Sequence, residues 1–153
     1  MATDRMPPRV SLITLGVDDL QKALAFYRNG LGLPTAGVIG TEYPGDDTQP
    51  AGATVVFELQ RGFMLALYPR TELAKDSKSP LGAASATEFS LGHFVQTRAD
   101  VDSLIGRAAA AGATITDPPH DRPWGIYSGY FKDLDGHLWE IIWNPDMLPE
   151  QSG

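Results

Sequence analysis

The chain has 153 residues, 42% hydrophobic and 20% charged, the make-up of an ordinary globular protein with room for one substantial core. Its formal charge of -7 argues against a phosphate backbone or an anionic membrane as the main partner, so neither nucleic acid nor membrane is expected. With no cysteine there is no disulfide framework, thiolate nucleophile or Cys-ligated zinc. No uncharged apolar run is long enough to span a bilayer, and MATDRMPPRV lacks the apolar core of a signal peptide, so a cytoplasmic location is expected.

Residues 1–8 read as a flexible lead-in. From Arg9 the run VSLITLGV has the β-branched and apolar content of a strand, and Asp18 with Gln21 offers a capping box for the helix that follows. Leu20, Ala23, Leu24, Tyr27 and Leu31 fall on one face of that helix, which Asn29-Gly30, Gly32 and Pro34 bring to an end. A short strand is predicted at Thr35–Ile39, then the polar loop GTEYPGDDTQPAG, then a hairpin in which ATVVFELQ and FMLALYP flank Arg61-Gly62. The Ser-, Ala- and Lys-rich stretch up to Ala86 reads as a surface connector.

The same order then recurs. EFSLGHFV predicts a strand, Thr97 and Asp100 cap a second helix, and Val101, Leu104, Ile105 and Ala108 form its apolar stripe up to Gly112. A short strand at Ala113–Thr116, a Pro-rich loop DPPHDRP, a strand at Tyr127–Lys132, the turn DLDG and a last strand HLWEIIW complete the chain before Asn144-Pro145. The fold class is therefore α+β, with two tandem β-α-β-β-β modules: residues 9–70, a connector at 71–86, and residues 87–146. A module of that size cannot bury its sheet alone, so the two are expected to share one core and to leave a cavity for a ligand.

FKDLDGHLWE, together with VDDLQKALAFYRNGLGL and PWG, resembles the vicinal oxygen chelate superfamily, which includes glyoxalase I, extradiol dioxygenases, and bleomycin and fosfomycin resistance proteins. The resemblance runs from Arg9 to Pro145. It implies a curled, open mixed sheet whose concave face binds metal or ligand, and a homodimer. Metal-dependent members place four His, Glu or Gln ligands on that face; the matching positions here are Leu12, Ser90 and Glu140, with the fourth near Ala66. Only Glu140 can ligate strongly, and a catalytic divalent ion needs about three protein ligands. On this match the metal centre is missing and no cofactor is expected, with a divalent metal held through another register or by a second subunit left open as the alternative. Bringing in Glu58 or His93 would require a shift of register that turns the apolar sets outward.

A carboxylate on an apolar strand is not left buried and unpaired, so Glu140 is expected to act as a general base, to accept a hydrogen bond from a ligand, or to pair with Arg122 or Lys132. Strand parity places Leu138 and Ile142 on its face, along with Ser90, Gly92 and Phe94, Thr14 and Gly16, and Met64 and Tyr68. The same parity turns Trp139, Ile141, Trp143 and His93 toward the helices, with His93 read as a core histidine. Trp124 of the PWG segment, with Tyr127 and Tyr130, would form a stacking platform for a flat ligand. No GxSxG elbow, P-loop, dinucleotide fingerprint or HExxH motif is present.

The reading that follows is a protein related to glyoxalase and bleomycin resistance proteins that binds a small organic molecule in the sheet cavity, an antibiotic-like compound being one option, without the family's metal. Two alternatives stand beside it: a lyase, isomerase or dioxygenase dependent on a divalent metal, and a metal-free enzyme with Glu140 as general base. Whether a reaction is catalysed is left open.

Overall fold

The structure is a computed structural model and describes residues 5–149, so residues 1–4 of the expected lead-in lie outside the described residues. The elements run β1 (Leu12–Val17), α1 (Leu20–Leu24, continued by a π-helical turn at Ala25–Gly30), β2 (Val38–Ile39), β3 (Thr54–Glu58), β4 (Met64–Pro69) and α2 (Arg70–Ser77). They continue with β5 (Ser90–Phe94), α3 (Arg98–Ala110), β6 (Thr114–Asp121), a 3₁₀ turn (Pro123–Gly125), β7 (Tyr127–Lys132) and β8 (Leu138–Trp143). Each half thus follows β-α-β-β-β order. Each builds a mixed four-stranded sheet, ordered β1-β4-β3-β2 and β5-β8-β7-β6, with β1∥β4 and β5∥β8 parallel and the remaining pairs antiparallel.

The compact units do not follow the repeat. One holds residues up to 20 and 34–79; the other holds 21–33 and the chain from 80 on. In the first unit, Leu15, Val17, Val55, Phe57, Leu65 and Leu67 are buried on one face of the sheet. Leu12, Thr14, Val56, Met64, Ala66 and Glu58 share the opposite face by register. The stretch expected to be a plain connector begins within α2, whose Glu72 accepts the Ala51 N–H at 2.8 Å and whose Lys75 reaches the Asp46 carbonyl at 2.9 Å. These bonds tie the polar loop of residues 40–52 to the helix.

In the second unit, α3 opens with the predicted capping box, Thr97 and Asp100 exchanging bonds of 3.1 Å, and buries Val101, Ile105 and Ala108. The first helix packs here too. Its wide π turn is closed by the Leu31 N–H donating to the Phe26 carbonyl, five residues back. That turn lets Phe26 and Tyr27, neighbours in sequence, both enter the core. Phe26 lies 6.4 Å from Phe131, and Tyr27 lies 6.1 Å from Trp139, which stacks on Phe131. The Tyr27 hydroxyl donates to Asp133 at 2.5 Å and accepts from the Trp139 indole at 3.1 Å, fixing the helix to the turn before β8.

Two expectations are corrected by the second sheet. The Pro-rich segment is not a loop. β6 runs on through it to Asp121, as an edge strand whose register against β7 shifts twice, between Ile115 and Asp117 and between Asp117 and His120. Proline is tolerated at edges and bulges, where no ladder donor is needed. His93 does face the helix side, opposite Ile141, but on the edge strand β5 it keeps an exposed surface and is no fully enclosed core histidine; the atoms packed around the ring still desolvate it enough to lower its pKa.

Candidate functional site

On the first sheet, Leu12, Thr14, Thr54, Val56, Met64, Ala66 and Tyr68, with Gly52 from the loop, line a cavity of about 320 Å³. The wall is apolar apart from three hydroxyls. The Tyr68 hydroxyl donates to the Ala51 carbonyl at 2.5 Å and Thr54 to the Leu67 carbonyl at 2.8 Å, so both are internally satisfied. Strand parity had placed Thr14, Met64 and Tyr68 together, and the structure brings them to one cavity. Close backbone contact at the loop needs glycine: Gly40 has φ +79, and a Cβ there would meet the Gly52 carbonyl oxygen at 2.2 Å.

A second hollow of about 540 Å³ adjoins it through Val56 and is lined by residues 34–37, Ile39 and Glu58. Glu58 stands in register with Met64 and Leu12, so it reaches the open face with no shift of register, contrary to the expectation from sequence. The signal was its spacing from Val56, two residues along the same strand.

The open face of the second sheet carries three rows in register: Thr114–Lys132–Leu138–Ser90, Asp117–Tyr130–Glu140–Gly92, and His120–Ser128–Ile142–Phe94. Glu140, Leu138, Ile142, Ser90, Phe94 and Tyr130 therefore share one face. Glu140 accepts a 2.8 Å bond from Ser128, whose side chain is fully buried. The Ser128 hydroxyl in turn accepts from Arg122 Nε, while Arg122 Nη2 donates to Asp117 at 2.9 Å and to the Ser128 carbonyl at 3.2 Å. Arg122 also lies 5.2 Å from the Tyr130 ring. Asp117 accepts from His120 at 3.0 Å as well; the bonds from His120 and Arg122 hold its carboxyl below the usual range, and the bond to Asp117 raises His120. Burial, then the neighbouring Glu140, push the Tyr130 phenol up. Among the described residues Glu140 has no ion pair with Arg122 or Lys132; it meets Arg122 only through Ser128. Asp117 and Ser128 were not among the candidates read from sequence, although Ser128 has even spacing to Tyr130.

The proposed aromatic platform is not assembled. Tyr127 pairs with Trp143 and points to the helix side, where its hydroxyl donates to Asp102 at 2.5 Å and Arg98 lies 4.2 Å from its ring. Tyr127 and Tyr130 are three residues apart on a regular strand and must face opposite ways. Trp124 is 89% exposed and has φ +66, a left-handed backbone that costs an ordinary residue about 1–2 kcal/mol.

Two such sheets, each formed by a β-α-β-β-β segment, define the glyoxalase-like class of α+β proteins. The chain belongs to the Glyoxalase/Bleomycin resistance protein/Dioxygenase superfamily, whose family model matches residues 9–141. It is 30% identical over 131 residues to the uncharacterized protein YraH of Bacillus subtilis, covering 84% of this chain and 93% of that one. Among solved structures it is similar to a glyoxalase-related enzyme from Fulvimarina pelagi, with 29% identity, 91% and 90% of the two chains covered and a TM-score of 0.72. It is also similar to the fosfomycin resistance protein FosX of Listeria monocytogenes, solved with Mn(II) and a dihydroxypropylphosphonic acid, at 25% identity, 89% and 90% coverage and a TM-score of 0.60.

The residues at the matching positions do not fit a divalent ion such as the Mn(II) solved with the Listeria protein. Leu12 and Ala66 are walls of the apolar cavity, and Ser90 is an exposed hydroxyl; none is a strong donor. Among the described residues no group of three or more His, Cys, Asp or Glu is placed to share an ion.

Proposed function

We propose that this protein binds a small organic molecule on the open faces of its sheets and does so without the divalent metal of its metal-dependent relatives. The observation that carries the reading is the role of Leu12 and Ala66: positions that match metal-ligand sites in the family are here part of an apolar cavity of about 320 Å³. That volume lies at the lower end of the range for small-molecule pockets, and an apolar wall with few polar groups is their usual chemistry. Leu138, Ile142 and Phe94 supply comparable apolar surface on the second sheet. Trp124, exposed and held in a strained turn, is offered as a ligand contact on the same ground, since an outlying backbone geometry tends to persist where it serves a site.

Sequestration or sensing of an antibiotic-like compound is the specific role proposed, in the cytoplasm, which suits a chain without cysteine. A homodimer belongs to the same reading: β5 is a sheet edge, and Phe89 and Phe94 beside it are exposed, at 51% and 37%. Light scattering on the eluting protein tests that part.

The deciding experiment is elemental analysis of protein incubated with Zn²⁺, Ni²⁺, Mn²⁺ or Fe²⁺ and desalted, with Glu140→Gln alongside, followed by a thermal-shift screen of organic compounds. No stoichiometric metal and at least one stabilising compound are expected. About one ion per chain, lost in Glu140→Gln, would overturn the reading in favour of a metal-dependent lyase, isomerase or dioxygenase.

A further inference from the structure

We infer that Glu140 is the anchor for a cationic nitrogen of the ligand, and that Ser128 and Arg122 are the positioning residues that orient it. The inference rests on the proposed binding function and names the chemistry the second sheet selects.

One permanent cation bears on the middle row of the second sheet, Arg122, which donates to Asp117 at 2.9 Å; the His120 ring, on the next row, bonds to the same carboxylate at 3.0 Å. Arg122 therefore already has its counter-ion. Glu140, on the same face, receives a 2.8 Å bond from the neutral Ser128 hydroxyl and lies beside the neutral Tyr130 phenol. Lys132 stands one row away, opposite Leu138, and among the described residues makes no ion pair with Glu140. Among the described residues Glu140 is thus the carboxylate of this row that no cationic side chain contacts directly, its link to Arg122 running through Ser128.

The direction of the bonds fixes what Glu140 can accept. Ser128 is fully buried and has one proton. Its oxygen is occupied by the Arg122 Nε–H, so that proton goes to Glu140. Arg122, a pure donor, thereby sets the polarity of the chain Arg122→Ser128→Glu140, with the carboxylate as its terminal acceptor. Two hydroxyl neighbours leave part of the roughly four lone-pair sites of a carboxylate open. Space is open as well. The neighbour of Glu140 on β5 is Gly92, where an added Cβ would meet only Ile142 Cδ1, at 3.4 Å. A half-buried carboxylate bounded by Leu138, Ile142 and Tyr130 and open over a glycine accepts a charged nitrogen on a flat or aliphatic body.

The test uses benzamidine and benzamide, which share a flat body and differ in charge, followed by amide chemical-shift mapping on the full chain. Benzamidine is expected to shift the amides of Ser128, Tyr130 and Glu140 with an affinity at least about tenfold above that of benzamide, because a charge-assisted bond is about twice as strong as a neutral one. Glu140→Gln should abolish that ratio, and Ser128→Ala should reduce it while a mere packing role would leave it unchanged. Gly92→Val, which fills the open space, should remove binding of both compounds here. Equal affinities, or a ratio that survives in Glu140→Gln, would overturn the inference, as would absence of benzamidine binding on this sheet. If benzamidine fails on this sheet while neutral compounds shift Thr14, Ala66 and Tyr68 in the same experiment, this assignment falls and the binding function stands.

Discussion

Replacing Asp133 by Ala removes the acceptor at the centre of the second unit's buried polar cluster. Asp133 is 5% exposed and takes bonds from the Tyr27 hydroxyl at 2.5 Å, the His137 ring at 2.8 Å, and the backbone N–H groups of Asp135 and His137 at 2.9 and 2.8 Å. A donor stranded in the interior costs about 1–3 kcal/mol. Tyr27, 1% exposed, bears that cost nearly in full, whereas water can reach donors in the turn. About 2 kcal/mol for Tyr27, about 1 for the His137 ring and about 0.5 for each turn N–H give roughly 4 kcal/mol. For a chain of this size that lowers Tm by about 10 °C. The loss must also depend on pH. Burial would raise the Asp133 carboxyl, but bonds from His137 and Tyr27, the charge of His137 and the turn N–H outweigh it and leave the pKa below its ordinary value. A carboxyl depressed on folding contributes stability that is present above its unfolded pKa of about 3.9 and lost as pH falls through the lower folded value. Urea unfolding of wild type and Asp133→Ala at a series of pH values from neutrality to 3 should therefore show a gap that narrows below about pH 4. A gap under about 1 kcal/mol at neutral pH, or one constant with pH, would refute the reasoning.

Trp124→Gly should leave stability unchanged or raise it by up to about 1 kcal/mol in calorimetry, because relief of a left-handed backbone at φ +66 outweighs the extra chain entropy of glycine and little packing is lost; a clear loss would mean that the indole is covered in solution. Gly40→Ala should destabilise by about 2 kcal/mol or more, since the new Cβ meets the Gly52 carbonyl oxygen at 2.2 Å, and should perturb the amides around the first cavity in a proton–nitrogen spectrum. Tyr130 should ionise at a pH above the ordinary phenol value, and Glu140→Gln should bring its titration down, since the carboxylate beside it is one cause of the rise; ring-carbon chemical shifts followed through alkaline pH would detect either result. Tyr27→Phe should cost about 1–2 kcal/mol, less than Asp133→Ala, because Asp133 keeps its remaining donors; equal losses would show that Tyr27 carries the whole cluster.

The repeat was legible because its signals are local and redundant. Thr97 and Asp100 cap a helix wherever they stand before an apolar stripe, and β5, β7 and β8 follow from alternation between breakers. What the repeat could not give is the sorting of its pieces into compact units. The first helix carries the expected stripe, yet Phe26 and Tyr27 meet Phe131 and Trp139 of the second sheet, and the π turn that brings both inward leaves no mark in a 3.6-residue pattern.

The site divides along the same line. Where strands are regular, counting by twos was enough: Thr14, Met64 and Tyr68 meet in one cavity, and Leu138, Glu140 and Ile142 share a face with Ser90 and Phe94. Tyr127 and Tyr130, three residues apart, fall on opposite faces by the same period of two, so they form no shared platform. The Asp117 network fails for a different reason. Asp117 and His120 are three residues apart, an odd spacing that assigns them to opposite faces, yet they pair with Tyr130 and Ser128 on one face because β6 slips register between them. A bulge adds a residue and so reverses parity beyond it. Pro118 and Pro119 lie at that slip, and adjacent prolines inside a strand are confined to edges and bulges, so the pair that made the segment look like a loop was the sign that parity changes there. Read with the two reversals of β6, one before Asp117 and one at the prolines, the same count brings Asp117, His120, Ser128 and Tyr130 onto the face of Glu140.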